Sequence, residues 1–218
     1  MRILIIGGNE EMKVIGINGS PHAKGNTYHG LEIIQKELQA QGIEMEILHI
    51  GNKAIRGCIA CNQCMKNRDQ KCVLPDDGVN EAILKMDQAD GIVLGSPVYY
   101  ANIAGTMKCF LDRVFYAGGS AMRGKVGTSI AAVRRTGGMP TVNGMNAFID
   151  YCEMTKPTGN YWNVIHGTKP GDVLEDAEGV QTMEILGRNM AYLLKQRRVE
   201  SDHQMADPVR KVYTNFIR

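Results

Sequence analysis

Met12-Lys13-Val14-Ile15-Gly16-Ile17-Asn18-Gly19-Ser20-Pro21-His22-Ala23-Lys24-Gly25-Asn26-Thr27 is the stretch whose reading decides the fold. Val14 to Ile17 is a short apolar run suited to a strand. The loop behind it is made of turn formers and hydroxyl-bearing residues, and Leu31, Ile34 and Leu38 then share one helical face. Strand, polar loop and helix together form a unit that binds phosphate, because the first helical amides and the positive end of the helix dipole stabilise an anion without any lysine. Ser20, Asn26 and Thr27 add donors around a terminal phosphate, while an N-cap role for Asn26 or Thr27 is the ordinary alternative. The loop has neither the G-x-G-x-x-G of dinucleotide folds nor the G-K-[ST] ending of a P-loop, which argues for a monophosphate.

Upstream, Met1 begins a second apolar run, Arg2 to Ile6, so residues 1–11 read as an extension: disordered, an edge strand, or the product of an early start codon. Downstream, Ile43 to Ile47 alternates as a strand toward a sheet edge, and Pro75-Asp76-Asp77-Gly78 reads as a helix start capped by Asp rather than as metal ligands. That helix carries Val79, Ile83 and Met86. Gly91 to Gly95 is a continuous apolar run, as a central strand covered on both faces requires. Past its carboxyl end lies Ser96-Pro97-Val98-Tyr99-Tyr100-Ala101-Asn102, where ligands sit in open α/β sheets. The two tyrosines suit an aromatic ring system, with surface packing as the plainer role for Tyr100.

The next helix buries Ile103, Met107, Phe110, Leu111 and Val114, which makes Cys109 a small buried residue. Lys125 to Val133 is a strand that delivers Arg134-Arg135-Thr136-Gly137-Gly138 to the same edge, where amides and fixed positive charge would stabilise an anionic ring; a solvated arginine pair is the ordinary alternative. Thr141 to Cys152 reads as a helix with Cys152 in the core, Pro157 to Val164 as the fifth strand and its exit, and Asp172 onward as a helix ending near Arg197-Arg198. Five alternations of strand and helix make an α/β fold. In the tail, Val209, Val212, Tyr213 and Phe216 repeat at helical spacing and suggest packing on a partner subunit.

Four of the six cysteines, Cys58, Cys61, Cys64 and Cys72, crowd one stretch as C-x2-C-x2-C followed by seven residues and a fourth Cys. Ferredoxins use the same double x2 spacing for a cluster, with a shorter final gap. A structural zinc site would want a second knuckle or a nearby histidine. An iron–sulfur cluster, a loop of free or redox-active thiols, and zinc all stay open on spacing alone. Disulfides are disfavoured, since the opening residues do not resemble a secretory signal and two bonds so close would be strained.

The chain of 218 residues suits one sizeable domain, and its net charge of +2, with no long basic run, gives no reason to expect nucleic acid. No stretch approaches the ~20 apolar residues of a membrane span. A cytoplasmic location is expected.

With these motifs in view, the chain resembles the flavodoxin-like NAD(P)H-dependent FMN reductases, and among them the iron–sulfur flavoproteins. Gly19-Ser20-Pro21 leading to Gly25-Asn26-Thr27, the cysteine motif, and Ser96-Pro97-Val98-Tyr99 carry the resemblance, which spans about residues 12–197. It implies a doubly wound sheet of five parallel strands in the order 2-1-3-4-5 over residues 12–198, with a cysteine loop at 57–72 and a tail at 199–218. It further implies that Ser20, Asn26 and Thr27 hold the FMN phosphate, with His22 and Lys24 nearby. Pro97, Val98, Tyr99, Tyr100 and the turn with Arg134, Arg135 and Gly137 would line the isoalloxazine, and Cys58, Cys61, Cys64 and Cys72 would hold a 4Fe-4S cluster. No residue need act as a nucleophile. Electrons would pass from NAD(P)H or a ferredoxin-type donor through FMN to a small-molecule or protein acceptor, in a homodimer or homotetramer. The rival readings are an FMN electron carrier or thiol sensor that turns nothing over, and a zinc-stabilised binding module.

Overall fold

Val14, Ile15 and Ile17 are wholly buried in β1 (Lys13–Asn18), with Ile15 and Ile17 in one hydrophobic cluster and Val14 in another. A strand apolar on both faces must lie between two helical layers. The computed structural model describes residues 11–74 and 77–199, with single positions at 205, 207–209, 212 and 214. The expected extension over 1–11 and the expected tail helix over 209–216 lie largely outside the described residues.

The remaining elements are α1 (Asn26–Ala40), β2 (Glu44–His49), α2 (Gln63–Asn67), α3 (Val79–Asp87), β3 (Gly91–Tyr99), β4 (Asn102–Ile103), α4 (Gly105–Met122), β5 (Val126–Val133), α5 (Gly138–Tyr151), β6 (Val164–His166), a 3-10 turn (Asp172–Glu175) and α6 (Ala177–Val199). The parallel strands run β2-β1-β3-β5-β6. Counting parallel strands alone, this is the expected order 2-1-3-4-5. Leu31 and Ile34 of α1 and Met183 and Leu186 of α6 close one face; Val79, Ile83, Phe110, Val114, Met145 and Ile149 of α3, α4 and α5 close the other.

Several boundaries differ from the sequence reading. β3 runs on to Tyr99 rather than stopping at Gly95, because Val98 and Tyr99 pair antiparallel with Ile103 and Asn102 of β4, an unexpected sixth strand. The turn between them uses Tyr100 and Ala101 at φ 50° and 58°, without the Asn-Gly signal that usually marks such a hairpin. β6 is only three residues long. Ahead of it, Asn163 keeps a backbone bond to β5, its carbonyl accepting from Ala131 N at 3.0 Å, and its side chain takes over from there, Nδ2 donating to Ser129 O at 3.1 Å. Pro157, which lacks an N–H, sits in the segment expected to be strand. α3 is capped at Gly78, while Asp77 accepts from Val79 N through its side chain (3.4 Å). Cys109 is half-buried rather than buried. Cys152 is buried as expected, and burial pushes its thiol up to about 11.

Asp176 ties the short last strand to the last helix, accepting from His166 N at 2.7 Å and Gly179 N at 3.0 Å. Burial would raise its pKa, but those amides and the His166 ring outweigh burial and hold it below the usual carboxylate value. Such a depressed carboxyl stabilises the fold above its unfolded pKa of about 3.9 and loses that contribution as pH falls through its folded value. Asp176→Ala should therefore destabilise the protein by about 1 kcal/mol at pH 7. It should also flatten the acid-side loss of stability below the unfolded value, as read by urea unfolding across pH.

Candidate functional site

The parallel register sets Asn18 beside Gly95, Pro97 beside Ala132 and Val133 beside His166, so the turns after β1, β3, β5 and β6 all leave one edge of the sheet. The first turn is pinned by its own side chains. Gly19 N donates to Gly95 O at 2.8 Å, Asn18 Oδ1 accepts from Ser20 N at 3.1 Å, and Asn18 Nδ2 donates to Ala23 O at 3.1 Å. Ser20 is buried, and its Oγ accepts from His22 N at 3.2 Å, which leaves its proton for another partner. His49, at the end of β2, donates from Nε2 to Ser20 O at 2.8 Å, the only role a carbonyl partner permits.

The N-cap of α1 is Gly25, which offers no side chain, so neither Asn26 nor Thr27 plays the capping role weighed above. The first amides of the helix are left for a ligand or water. Thr27 lies over Gly95 and is 1% exposed, and its Oγ1 has no hydrogen-bond partner among the described residues. Asn26 Oδ1 accepts from Gly171 N at 2.9 Å, joining this turn to the loop after β6. His22 and Lys24 are exposed above it.

The turns after β3 and β5 meet directly. Gly137 has φ +91°, and a Cβ on it would stand 2.7 Å from Ala101 Cα and 2.9 Å from Val98 Cγ1, so a larger residue is excluded by both conformation and space. Pro97 and Val98 are partly buried on β3, and Tyr99 and Tyr100 are exposed at the hairpin tip. Arg134 and Arg135 are exposed as well; Arg135 and Gly137 line a hollow of about 430 Å³ with Trp162 and His166.

The cysteine loop lies elsewhere, against the middle of α4. Cys58, Cys61, Cys64 and Cys72 line one narrow cavity of about 20 Å³ together with Arg113 and Tyr116. Cys58 and Cys61 form its exposed side. Ala60, Asn62, Arg68 and Gln70 all take positive φ, between 51° and 59°, a conformation that costs such residues about 1–3 kcal/mol each. Contacts from the helices hold the loop in this shape. Asn80 clamps Cys72 by accepting from its N–H (2.8 Å) and donating to its carbonyl (2.9 Å), and the Tyr116 hydroxyl donates to Asn62 Oδ1 at 3.0 Å. Arg113 is 1% exposed; it donates from Nε to Cys72 Sγ at 3.3 Å and from Nη1 to Arg56 O at 3.3 Å, and is ion-paired to Asp77. Burial alone would lower the Arg113 pKa, but Asp77 and Cys72 outweigh it and raise the value. Burial pushes the Cys64 thiol up, and the nearness of Cys72 and Cys58 adds to the shift.

The sequence profile of NADPH-dependent FMN reductases matches residues 12–169. The chain belongs to the NADPH-dependent FMN reductase family. An iron–sulfur flavoprotein of Methanocaldococcus jannaschii is 36% identical over 84% of this chain and 98% of its own length. Another, from Archaeoglobus fulgidus, is 34% identical over 89% of this chain and 86% of its own. Among solved structures, an archaeal flavodoxin superposes with a TM-score of 0.55 at 17% identity, covering 84% of this chain and 99% of its own. RosB, solved with a bound riboflavin phosphate intermediate, gives 0.67 at 13% identity, covering 94% and 92%. The fold is thus flavodoxin-like, and this FMN reductase family member places its sheet-edge turns where the ligands of such folds collect.

Two tests of fit follow from the side chains. For FMN, the buried hydroxyl of Thr27 and the side-chain-free helix start are suited to a phosphate, which supplies the missing acceptor. For a metal, no group of three or more His, Cys, Asp or Glu among the described residues is placed so as to hold an ion. Four thiols lining one cavity are the ligand type that iron–sulfur clusters take, and that donor chemistry alone carries the fit. His49, Arg113, Asn80 and Tyr116 were missed in the sequence, and Asp77 was read there only as a helix cap, without its pairing to Arg113. A charged residue on the buried stripe of α4, three positions after Phe110, was the available signal for Arg113.

Gly51 stands against this first turn, where a Cβ on it would lie 2.1 Å from Ser20 O, a backbone atom with no room to move. Gly51→Ala is expected to cost about 1–3 kcal/mol, lowering Tm by roughly 2–12 °C in a thermal melt.

Proposed function

We propose that this chain is an FMN-dependent oxidoreductase that takes electrons from a reduced nicotinamide and passes them singly to an acceptor by way of an iron–sulfur cluster on Cys58, Cys61, Cys64 and Cys72. The observation that carries the reading is the buried, unpartnered Thr27 hydroxyl at the start of α1, where no side chain caps the helix. FMN when bound supplies a carrier that accepts two electrons and can release them one at a time, and a cluster supplies a one-electron relay.

The protein's own part is binding, orientation and charge. Thr27 Oγ1, Ser20 Oγ and the first amides of α1 would hold the phosphate, with Asn26 keeping the β6 loop in place and His22 and Lys24 adding charge above. Pro97, Val98, Tyr99 and Tyr100 would flank the ring and exclude water from one side. Arg134, Arg135 and the amides near Gly137 would favour the reduced, anionic ring. α4 begins at Gly105, just past the hairpin, and Arg113 at the cysteine cavity lies eight residues on. The helix therefore separates the two sites by ~12 Å along its axis.

Anaerobically isolated protein is expected to show flavin absorption with a broad iron–sulfur shoulder, and iron and labile sulfide in equal amounts. NADH or NADPH should bleach the flavin in stopped flow. A spectrum with flavin and no iron would remove the cluster, and no reduction by either nucleotide would leave an FMN carrier. Thr27→Val should act in opposite directions on two readouts. It should weaken FMN about ten- to a hundredfold, by loss of a hydrogen bond to a charged group. In the FMN-free protein it should leave stability unchanged or raise it, since an unpartnered buried hydroxyl is removed.

A further inference from the structure

Arg113 stands on the buried stripe of α4 between Phe110 and Val114, both fully buried, where an apolar residue would pack at lower cost. Its guanidinium carries five donors. Nε serves Cys72 Sγ, and Nη1 serves Arg56 O and Asp77, yet Nη2 is buried with no partner among the described residues. Arg113 itself lines the cavity that the four thiols ring. A fixed cation with an unmet donor beside four sulfur ligands points to an acceptor that belongs in that cavity.

We infer that Arg113 is a positioning residue for the iron–sulfur centre: Nε orients Cys72 as a ligand, and Nη2 donates to a sulfur of the centre and raises its reduction potential. The inference rests on the cluster reading proposed above. Reduction adds one electron, and so one negative charge, to the centre; Arg113 opposes that charge and gives up neither proton nor electron. Hydrogen bonds to the sulfurs and nearby charge are among the factors that set such potentials. Asp77 keeps the fork aimed, and its own charge is partly spent on Val79 N.

The test is an anaerobic redox titration with dithionite, following the cluster by EPR and the flavin by absorption, on full-length wild type, Arg113→Met and Arg113→Lys. Arg113→Met is expected to disfavour cluster reduction tenfold or more, a downward shift of at least ~59 mV for one electron, with the flavin potential unmoved. Arg113→Lys keeps the charge but loses the fork, and should shift the same way by less. A merely structural role would lower stability or iron content and leave the potential of the remaining clusters alone. Equal cluster potentials in wild type and either folded, iron-loaded variant would overturn the inference, and Arg113→Lys decides if Arg113→Met does not fold. Wild type that binds FMN but takes up no iron and sulfide on reconstitution would remove the cluster reading, and this inference with it.

Discussion

The parallel register of β1, β3 and β5 is the constraint from which the rest follows. Each strand is buried on both faces, and Val14, Ile15, Ile92, Val93, Leu94, Val126 and Ile130 are wholly inaccessible. A shift of one residue would exchange the two faces of a strand, sending each side chain into the wrong helical layer. The helices thus fix the register, and the register fixes where the strands end. Because Asn18, Pro97 and Val133 end on one edge, three turns far apart in sequence are brought to the same side of the sheet. Backbone contacts finish the placement: Gly19 on Gly95, and Gly137 against Ala101.

α4 connects this edge to the cysteine loop. Its buried stripe anchors it on the sheet, its first turn follows the β3–β4 hairpin, and its middle presents Arg113 and Tyr116 to the loop. The loop has little apolar anchoring of its own, and four residues in it hold positive φ. Such a loop keeps its shape only where neighbours over-determine it. Here those neighbours are Asn80 on α3 and Arg113 and Tyr116 on α4, so the thiol geometry is inherited from the packing of two core helices.

What could be read in the sequence follows from which physical signals are local. The strand–loop–helix unit at 12–40, the buried runs at 91–95 and 126–133 and the spacing of the cysteines are periodic or compositional, and each is visible in a short window. The hairpin at Tyr100 was not visible, because its turn uses Tyr and Ala in a conformation that usually calls for Gly or Asn. The short β6 was obscured because Asn163 meets the edge of β5 with its side chain. Arg113 and His49 were missed for a different reason. Their partners, Asp77, Cys72 and Ser20, stand 36, 41 and 29 residues away, and a charged or polar residue within an apolar pattern looks locally like a gap in the core.

Among the described residues, two buried side-chain polar atoms lack a hydrogen-bond partner: Thr27 Oγ1 and Arg113 Nη2. An unmet buried group costs about 1–3 kcal/mol, and more when charged, so a fold shaped by stability alone would be expected to lose both. They do not fall at random. One stands in the turn at the start of α1, where a phosphate oxygen would meet it, and the other stands in the wall of the cavity ringed by four thiols. The guanidinium can only donate, while the hydroxyl can donate or accept, and both residues stand where the proposed function puts an electron-rich ligand. The proposed function would account for both orphans together, with a phosphate oxygen meeting Thr27 and a cluster sulfur meeting Arg113.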